Sequence, residues 1–380
     1  MTLKLIGKNA IKFVLVVMIL GIITACSSEQ SSSDSDSNSD DSSTNNSENQ
    51  GDGSSDNSKE MEETISIGTP PVGATYNTVG SGLAKVISEN SKIKVSVKPS
   101  QGPSAWGPQL NEGQIQLGVG SGPDLAWAFK GINGYQEPMK NLRLLVRGNY
   151  LTATGLAVRK NSDIEKVADV KGKRVATYPG AAIGQMLVEA TLVANGLTWD
   201  DVEPVPIPSL FEGMEALQDR TVDAAFAMTP NTPVSQQVNS QVGLRGPDIL
   251  DDYSAADIAE VPENLKEEIT SRIPGVELTV AKPFGYLTEE TLGIKYPAEM
   301  VSSSNLSEAA AYEIMQTIWD NYEKLKPVHK WLETWTPEQM FDPTPTLPYH
   351  PGAVKFYKDK GIWTEEVDAI QQELLKEAGS

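Results

Sequence analysis

From Thr64 onward the chain repeats one pattern: a short apolar strand, a loop of Gly, Pro, Ser and Thr, then a stretch with helical periodicity. "TISIG" (Thr64 to Gly68) alternates as a strand does, and "TPPVGAT" follows as a loop. Val79, Leu83, Val86 and Ile87 then share one helical face. "IKVSVKPS" (Ile93 to Ser100), "IQLGVGSG" (Ile115 to Gly122) and "LRLLVRGN" (Leu142 to Asn149) continue the series with helical stretches between them. Strands alternating with helices predict an α/β architecture in which parallel sheets are covered by helices.

A second series starts at "TGLAVRK" (Thr154 to Lys160) and "KGKRVATYPG" (Lys171 to Gly180), the latter opening into a helix that carries Ile183, Leu187, Ala190 and Ala194. "VEPVPIP" and "TVDAAFAM" (Thr221 to Met228) extend it. A late strand, "LGIKYPAEMVSSS" (Leu292 to Ser304), precedes a long helix from about Ser307 to Leu325, with Ser307 as its cap. Two more helices close the chain, one stopped by Gly361 and one begun by Thr364. The body, about residues 62–380, is larger than one comfortable core and divides into two lobes. Residues 64–152 with about 293–380 are expected to form lobe one, and about 153–292 lobe two.

The N-terminus is of a different kind. Lys4, Lys8 and Lys12 precede the apolar run Phe13 to Ile23, which is too short to span a bilayer and has the form of an export signal over residues 1–25. Ile23-Thr24-Ala25-Cys26 resembles the lipobox of bacterial lipoproteins, in which the cysteine becomes the lipidated first residue. A signal cut elsewhere, or a buried thiol, is the alternative. Cys26 is the only cysteine, so no internal disulfide exists. Residues 26–61 are almost entirely Ser, Asp, Asn, Glu, Gln and Gly and read as a disordered tether. With a formal charge of −20 and a pI near 4.6, the chain is a poor partner for nucleic acid or an acidic lipid surface.

The residues do not assemble a catalytic or metal motif. His329 and His350 are the only histidines, and no G-x-S-x-G, G-x-x-x-x-G-K-[ST] or H-E-x-x-H pattern occurs. Ser91 to Lys94 matches S-x-x-K at a helix-to-strand junction, without partner motifs. The expectation is a non-enzyme without cofactor or metal. What recurs is a loop leading from a strand to a helix start: "GTPPVGATY", "PSQGPSAWG", "GSGPD", "YPGAAIG" and "AMTPNTP". Helix N-termini present unpaired N–H groups and the positive end of a dipole, so several facing one another would enclose a small anion. Ligands of open α/β sheets also sit beyond the carboxyl ends of the strands.

In order along the chain, "IGTPPVGATYNTVG", "DVKGKRVATYPGAAIG", "GLTWDDVEPVPIPSLFEGMEALQDRTVDAAFA" and "LPYHPGAVKFYKDKGIW" resemble the TAXI group of solute-binding proteins, the extracytoplasmic subunits of TRAP-type secondary transporters. The resemblance spans residues 64–380. It implies a two-lobed, type II periplasmic-binding-protein fold that closes on a dicarboxylate or an amino acid such as glutamate and hands it to a sodium-driven permease. Cys26 would then keep the receptor beside its transporter, on the outer face of the cell membrane. The chain departs from the family pattern in its loops: Gly102 to Gly107 replaces Gly-Ser-x-x-Asn, Gly180-Ala181-Ala182 replaces Gly-Ser-Gly, and Asn77 replaces one of an aromatic pair, leaving Tyr76.

The candidate ligand contacts are Thr69, Thr75 and Tyr76; Ser104 and Trp106; Ser121 and Asp124; Tyr178; Ala181, Ala182 and Ile183 as a backbone anion cradle; and Asn231 and Thr232. Turn formation, packing or capping is the rival reading for each. His350 is assigned to structure, and Arg143, Arg147 and Arg159 are more readily explained by salt bridges than by a ligand carboxylate. Two alternatives to a TRAP-type receptor remain: a binding lipoprotein of an ATP-driven ABC importer, and a secreted enzyme on the same scaffold.

Overall fold

The computed structural model describes residues 61–379. The candidate signal peptide, Cys26 and the tether up to residue 60 lie outside the described residues. The chain opens a first sheet with β1 (Thr64–Thr69), β2 (Lys94–Pro99) and β3 (Leu117–Ser121), then runs along β4 (Leu142–Ala153) into a second sheet. That sheet holds β5 (Leu156–Arg159), β6 (Arg174–Thr177), β7 (Glu203–Pro206), β8 (Ala224–Phe226) and β9 (Leu244–Arg245). β10 (Glu277–Ala281) and β11 (Thr291–Ser303) belong again to the first sheet.

The first sheet has the order β10-β11-β3-β1-β2, with β4 also paired to β11, and the second the order β7-β6-β8-β5-β9. β3 lies inside its sheet and is buried along its whole length. β2 forms the outer edge, where exposed Lys94 and Lys98 discourage pairing with another chain. The helical face expected from Val79, Leu83, Val86 and Ile87 is buried against the sheet.

Both sheets are mixed rather than purely parallel. β1 pairs in parallel with β2 and β3, and β6 with β7 and β8, but β11 runs antiparallel to β3 and β5 antiparallel to β8. The exceptions are the strands that arrive from the other half of the molecule. A chain crossing between sheets enters at the edge where the parallel strands end, so it must run against them. Leu156, the start of β5, accordingly lies opposite Phe226, the end of β8, and Ala298 of β11 lies opposite Ser121, the end of β3.

β4 and β11 pair from Leu142–Ser303 to Ala153–Ile294, with register shifts between Pro297 and Glu299 and between Met300 and Val301. Such irregularities bend and twist a two-stranded ribbon. This ribbon leads the chain from the first sheet into the second. The long C-terminal helix expected over Ser307 to Leu325 is interrupted, giving Glu308–Asp320 and Tyr322–Leu325. Asn321 leaves helical geometry there, and its side-chain amide donates to Thr317 O at 2.9 Å, in competition with the helical ladder. Ser307 caps the first piece and Thr364 the last helix, as the sequence predicts. Among the described residues no helix is long and apolar enough to cross a membrane.

Candidate functional site

Six helices begin at the ends of strands on the side where the sheets face each other. They are α1 (Thr75–Asn90), α2 (Pro103–Asn111), α3 (Gly122–Lys130), α4 (Ala182–Ala194), α5 (Leu210–Gln218) and α6 (Pro233–Val242). The first three belong to the first lobe and the others to the second. Two adjoining cavities of about 660 and 630 Å³ lie between them and share Pro70, Tyr76, Ser121, Ile183, Leu210 and Phe211 as walls. Every one of the six helix starts contributes a lining residue to this cleft.

The helix starts are not equally satisfied. α3, α5 and α6 are capped by Ser121, Ser209 and Thr232, whose hydroxyls accept from the N–H groups of Asp124, Glu212 and Ser235. α1, α2 and α4 begin at Ala74, Gly102 and Ala181, and none of these supplies a side-chain cap. Their first N–H groups therefore retain capacity for an external acceptor. Gly102 stands at φ 129°, where a side chain would be strained.

Among the described residues lining the two cavities, the only charged side chain is Asp124. It is 5 % exposed, accepts a hydrogen bond from the Tyr135 hydroxyl at 2.8 Å, and is raised to about 6 by burial, against the lowering effect of that bond. The hydroxyl of Tyr76 is buried at the joint of the cavities without a hydrogen-bond partner. Burial pushes its pKa up, with Tyr296, Asp124 and Glu299 adding to the effect. An unpaired buried hydroxyl is costly, so the position favours a ligand that supplies an acceptor. The cleft thus offers backbone N–H groups and a phenol to an anionic group and one carboxylate to a donor. Its described lining has no basic side chain with which to neutralise a dianion.

The structure brings Thr75, Tyr76, Ser104, Ser121, Asp124, Ala181, Ala182, Ile183 and Thr232 to the cleft. Ser104 also donates to Gly180 O at 3.0 Å, a bond between α2 of the first lobe and the loop before α4 of the second. The other candidates line neither cavity. Thr69 is fully buried and holds the first loop: its hydroxyl donates to Pro70 O and accepts from Asn77 Nδ2 at 2.8 Å. Asn77, at a position where the family resemblance has an aromatic, is thereby a partner of Thr69.

Trp106 is a core residue rather than a cleft wall, with 1 % exposure. Its indole fills space left by Gly68 and Gly118, where added Cβ atoms would lie 2.6 and 2.4 Å from it. Tyr178 is likewise buried, its hydroxyl accepting from Phe226 N at 3.0 Å and so tying β6 to the end of β8. Asn231 precedes the α6 cap without lining either cavity. Arg159 pairs with Asp223 at 2.8 Å, Arg147 with Asp342 at 3.6 Å, and Arg143 donates to Lys140 O and Leu142 O, all away from the cleft. His350 caps the helix Pro351–Asp359 through Gly352 N.

Sequence reasoning missed the α5 start, Ser209 to Phe211, although Ser209-x-x-Glu212 directly after a strand has the capping-box spacing. It also missed Tyr135, Phe226, Met228, Tyr296 and Trp331, which reach the cleft from distant segments. Trp331 packs edge-on against Tyr76 with ring centroids 5.3 Å apart, so Tyr76 does have an aromatic partner. Among the described residues no group of three or more His, Cys, Asp or Glu is placed to hold a metal.

The sequence profile of the NMT1-like family matches residues 67–361. Solved structures similar to the chain include MatC from Rhodopseudomonas palustris with bound malate, 11% identical, covering 81% of this chain and 98% of that one with a TM-score of 0.51. PhnD1 from Prochlorococcus marinus, in complex with methylphosphonate, is 11% identical, with 79% and 99% covered and a TM-score of 0.45. The protein from Methylobacillus flagellatus described as a putative sulfonate ABC transporter, periplasmic sulfonate-binding protein SsuA, is 15% identical, with 83% and 95% covered and a TM-score of 0.42. At these identities the likeness is one of fold, the two-lobed fold of periplasmic binding proteins.

Proposed function

The chain belongs to the NMT1-like family and has the two-lobed binding-protein fold, and from that premise we propose that it is an extracytoplasmic solute-binding protein for a small organic acid. The observation that carries this reading is the ring of six helix starts around one cleft, three of them without side-chain caps. Asp124 narrows the ligand. A second carboxylate beside it meets repulsion in a setting of low dielectric, whereas an ammonium or hydroxyl is welcomed. The favoured ligand carries an acidic group held by backbone N–H groups and a donor held by Asp124, which is the amino-acid side of the range expected from sequence. Binding and hinge closure suffice for the role, with no covalent step.

The sequence leaves two permease classes open. The solved neighbour from Methylobacillus flagellatus is described as part of an ABC transporter, and the TRAP-type permease rests on sequence resemblance alone. Uptake by membrane vesicles carrying receptor and permease separates them: dependence on ATP supports the importer, dependence on a sodium gradient the TRAP type. The proposed lipid anchor at Cys26 is tested by Cys26→Ser, which should release the protein from the membrane fraction.

The receptor reading itself is tested by thermal unfolding of the full-length protein against amino acids, hydroxy acids, dicarboxylates, sulfonates and phosphonates. A cleft ligand at one hundred times its dissociation constant adds about 2.7 kcal/mol of stability. Asp124→Asn should weaken an amino-acid ligand roughly 10- to 100-fold, the worth of a charged hydrogen bond, and weaken a plain monocarboxylate much less. No shift with any compound, together with no small molecule released on denaturation and seen by mass spectrometry, overturns the reading.

A further inference from the structure

Against the β4–β11 ribbon lies a separate cavity of about 460 Å³ that shares no lining residue with the cleft. Its walls include Arg147 of β4, Glu299 of β11, Asp342, Thr344 and Thr346 of the loop that precedes the helix Pro351–Asp359, and Gly122 at the start of α3. Glu299 is 1 % exposed, and its Oε2 has no hydrogen-bond partner. The Thr346 hydroxyl is buried and unpartnered in the same way. Asp342 is 6 % exposed and faces Arg147, whose guanidinium is 3.6 Å from Oδ1. Glu277 at the rim is matched by Lys295 at 2.9 Å.

A buried carboxylate oxygen without a partner is unfavourable unless a proton, a donor or a cation satisfies it. Among the described residues the chain supplies no such donor to Glu299 Oε2. Burial pushes the Glu299 carboxyl up to about 8, with Asp342 adding to the rise and Arg147 opposing it, so a proton competes for the same oxygen at neutral pH. The atoms left over are all oxygens, the donor set of a hard cation. With both carboxyls ionised, Glu299, Asp342 and Arg147 together carry one net negative charge, so a single positive charge balances the cavity. A divalent ion would meet the Arg147 guanidinium and too few carboxylates.

We infer that this cavity binds a small monovalent cation of sodium size through Glu299, Asp342 and the hydroxyl of Thr346. The site adjoins the proposed cleft without being part of it. Glu299 approaches the first residue of α3, where a Cβ on Gly122 would lie 2.7 Å from Oε1, and α3 carries Ser121 and Asp124 to the cleft. It also sits at a register shift of the β4–β11 ribbon that connects the two sheets, the place where the proposed closure would bend the molecule. Cation occupancy and ligand affinity are therefore linked, and the linkage is reciprocal.

The test is thermal unfolding of the ligand-free full-length protein in choline, sodium and calcium chlorides at matched ionic strength and about pH 8.5, where proton competition is weak. At ten times its dissociation constant, sodium should raise the midpoint by roughly 2 to 4 °C over choline. Glu299→Gln, which keeps shape and removes the charge, should fold and abolish the sodium increment, and Thr346→Val should reduce it. Calorimetric titration of the wild type with sodium chloride should show the same single site. The inference is overturned by equal midpoints in sodium and choline, by an increment that survives Glu299→Gln, or by a response to calcium with none to sodium. None of these measurements uses an organic ligand, so they stand or fall apart from the receptor reading.

Discussion

Asp124 is held at the start of α3 by its place in the chain and is buried at the cleft, and this combination sets a pH dependence. Its folded pKa, about 6, lies above the 3.8 usual for an aspartate, and the leading cause is burial. Well below pH 3.8 the group is protonated in both states and contributes nothing to the slope. As pH rises to 6 the unfolded chain releases the proton first, so the folded state binds more protons and stability falls. In the ligand-free protein this amounts to about 3 kcal/mol at most, complete above pH 6. Asp124→Asn should flatten that portion of the stability–pH curve, measured by denaturant unfolding between pH 4 and 7, and leave the ligand-free variant more stable at neutral pH. Trp106 carries a second residue-scale prediction. Gly118→Ala should destabilise by about 1–3 kcal/mol through overpacking against the indole, and Trp106→Phe in the same chain should recover part of that loss, a non-additivity that urea unfolding reads directly. The sequence marks Trp106 as a cleft residue because a tryptophan in a Gly/Pro loop looks exposed. It does not reveal that Gly68 and Gly118, on two other strands, leave a slot for the ring.

At the scale of elements the sequence is far more informative, because strand, loop and helix starts are written in local chemistry. β1, β2, β3 and β6 fall where alternation and apolar runs place them, and the loops after β1, β2, β3, β6 and β8 lead to helices at the cleft. Strand direction is not legible, since it depends on which half of the molecule a strand arrives from. The partners brought by distant segments, Trp331 and Tyr296 above all, are hidden for the same reason. The uncapped start of α4 supports a prediction at this scale. Ala181→Asp would place a carboxylate where the first N–H groups of α4 point, satisfying the helix from within and repelling an incoming anion. The variant should be about 0.5–1 kcal/mol more stable without ligand and bind the organic acid proposed as its ligand at least tenfold more weakly, a pair of opposite effects that calorimetry and thermal unfolding separate. A purely structural role for the loop predicts the first effect without the second.

For the whole molecule, the hinge closure proposed above makes the position of one lobe against the other the variable to test, and the Ser104–Gly180 hydrogen bond is a direct contact between them. Lys330 adds a second, lying 5.0 Å from the ring centroid of Phe284. Interactions made only in the closed form act on the closed population, and apparent affinity scales with that fraction. Losing one net hydrogen bond of about 1 kcal/mol should, with Ser104→Ala, weaken every ligand by the same factor, up to about fivefold. Asp124→Asn should instead reorder the ligands, because it changes what the cleft accepts. A panel of three or more acids titrated into both variants distinguishes the two modes: a constant ratio to wild type for Ser104→Ala and a ligand-dependent ratio for Asp124→Asn. Small-angle scattering of ligand-free Ser104→Ala should show a larger radius of gyration than wild type, shrinking to the wild-type closed value on saturation. A ligand-dependent ratio for Ser104→Ala would place its hydroxyl on the ligand and remove it from the closing mechanism.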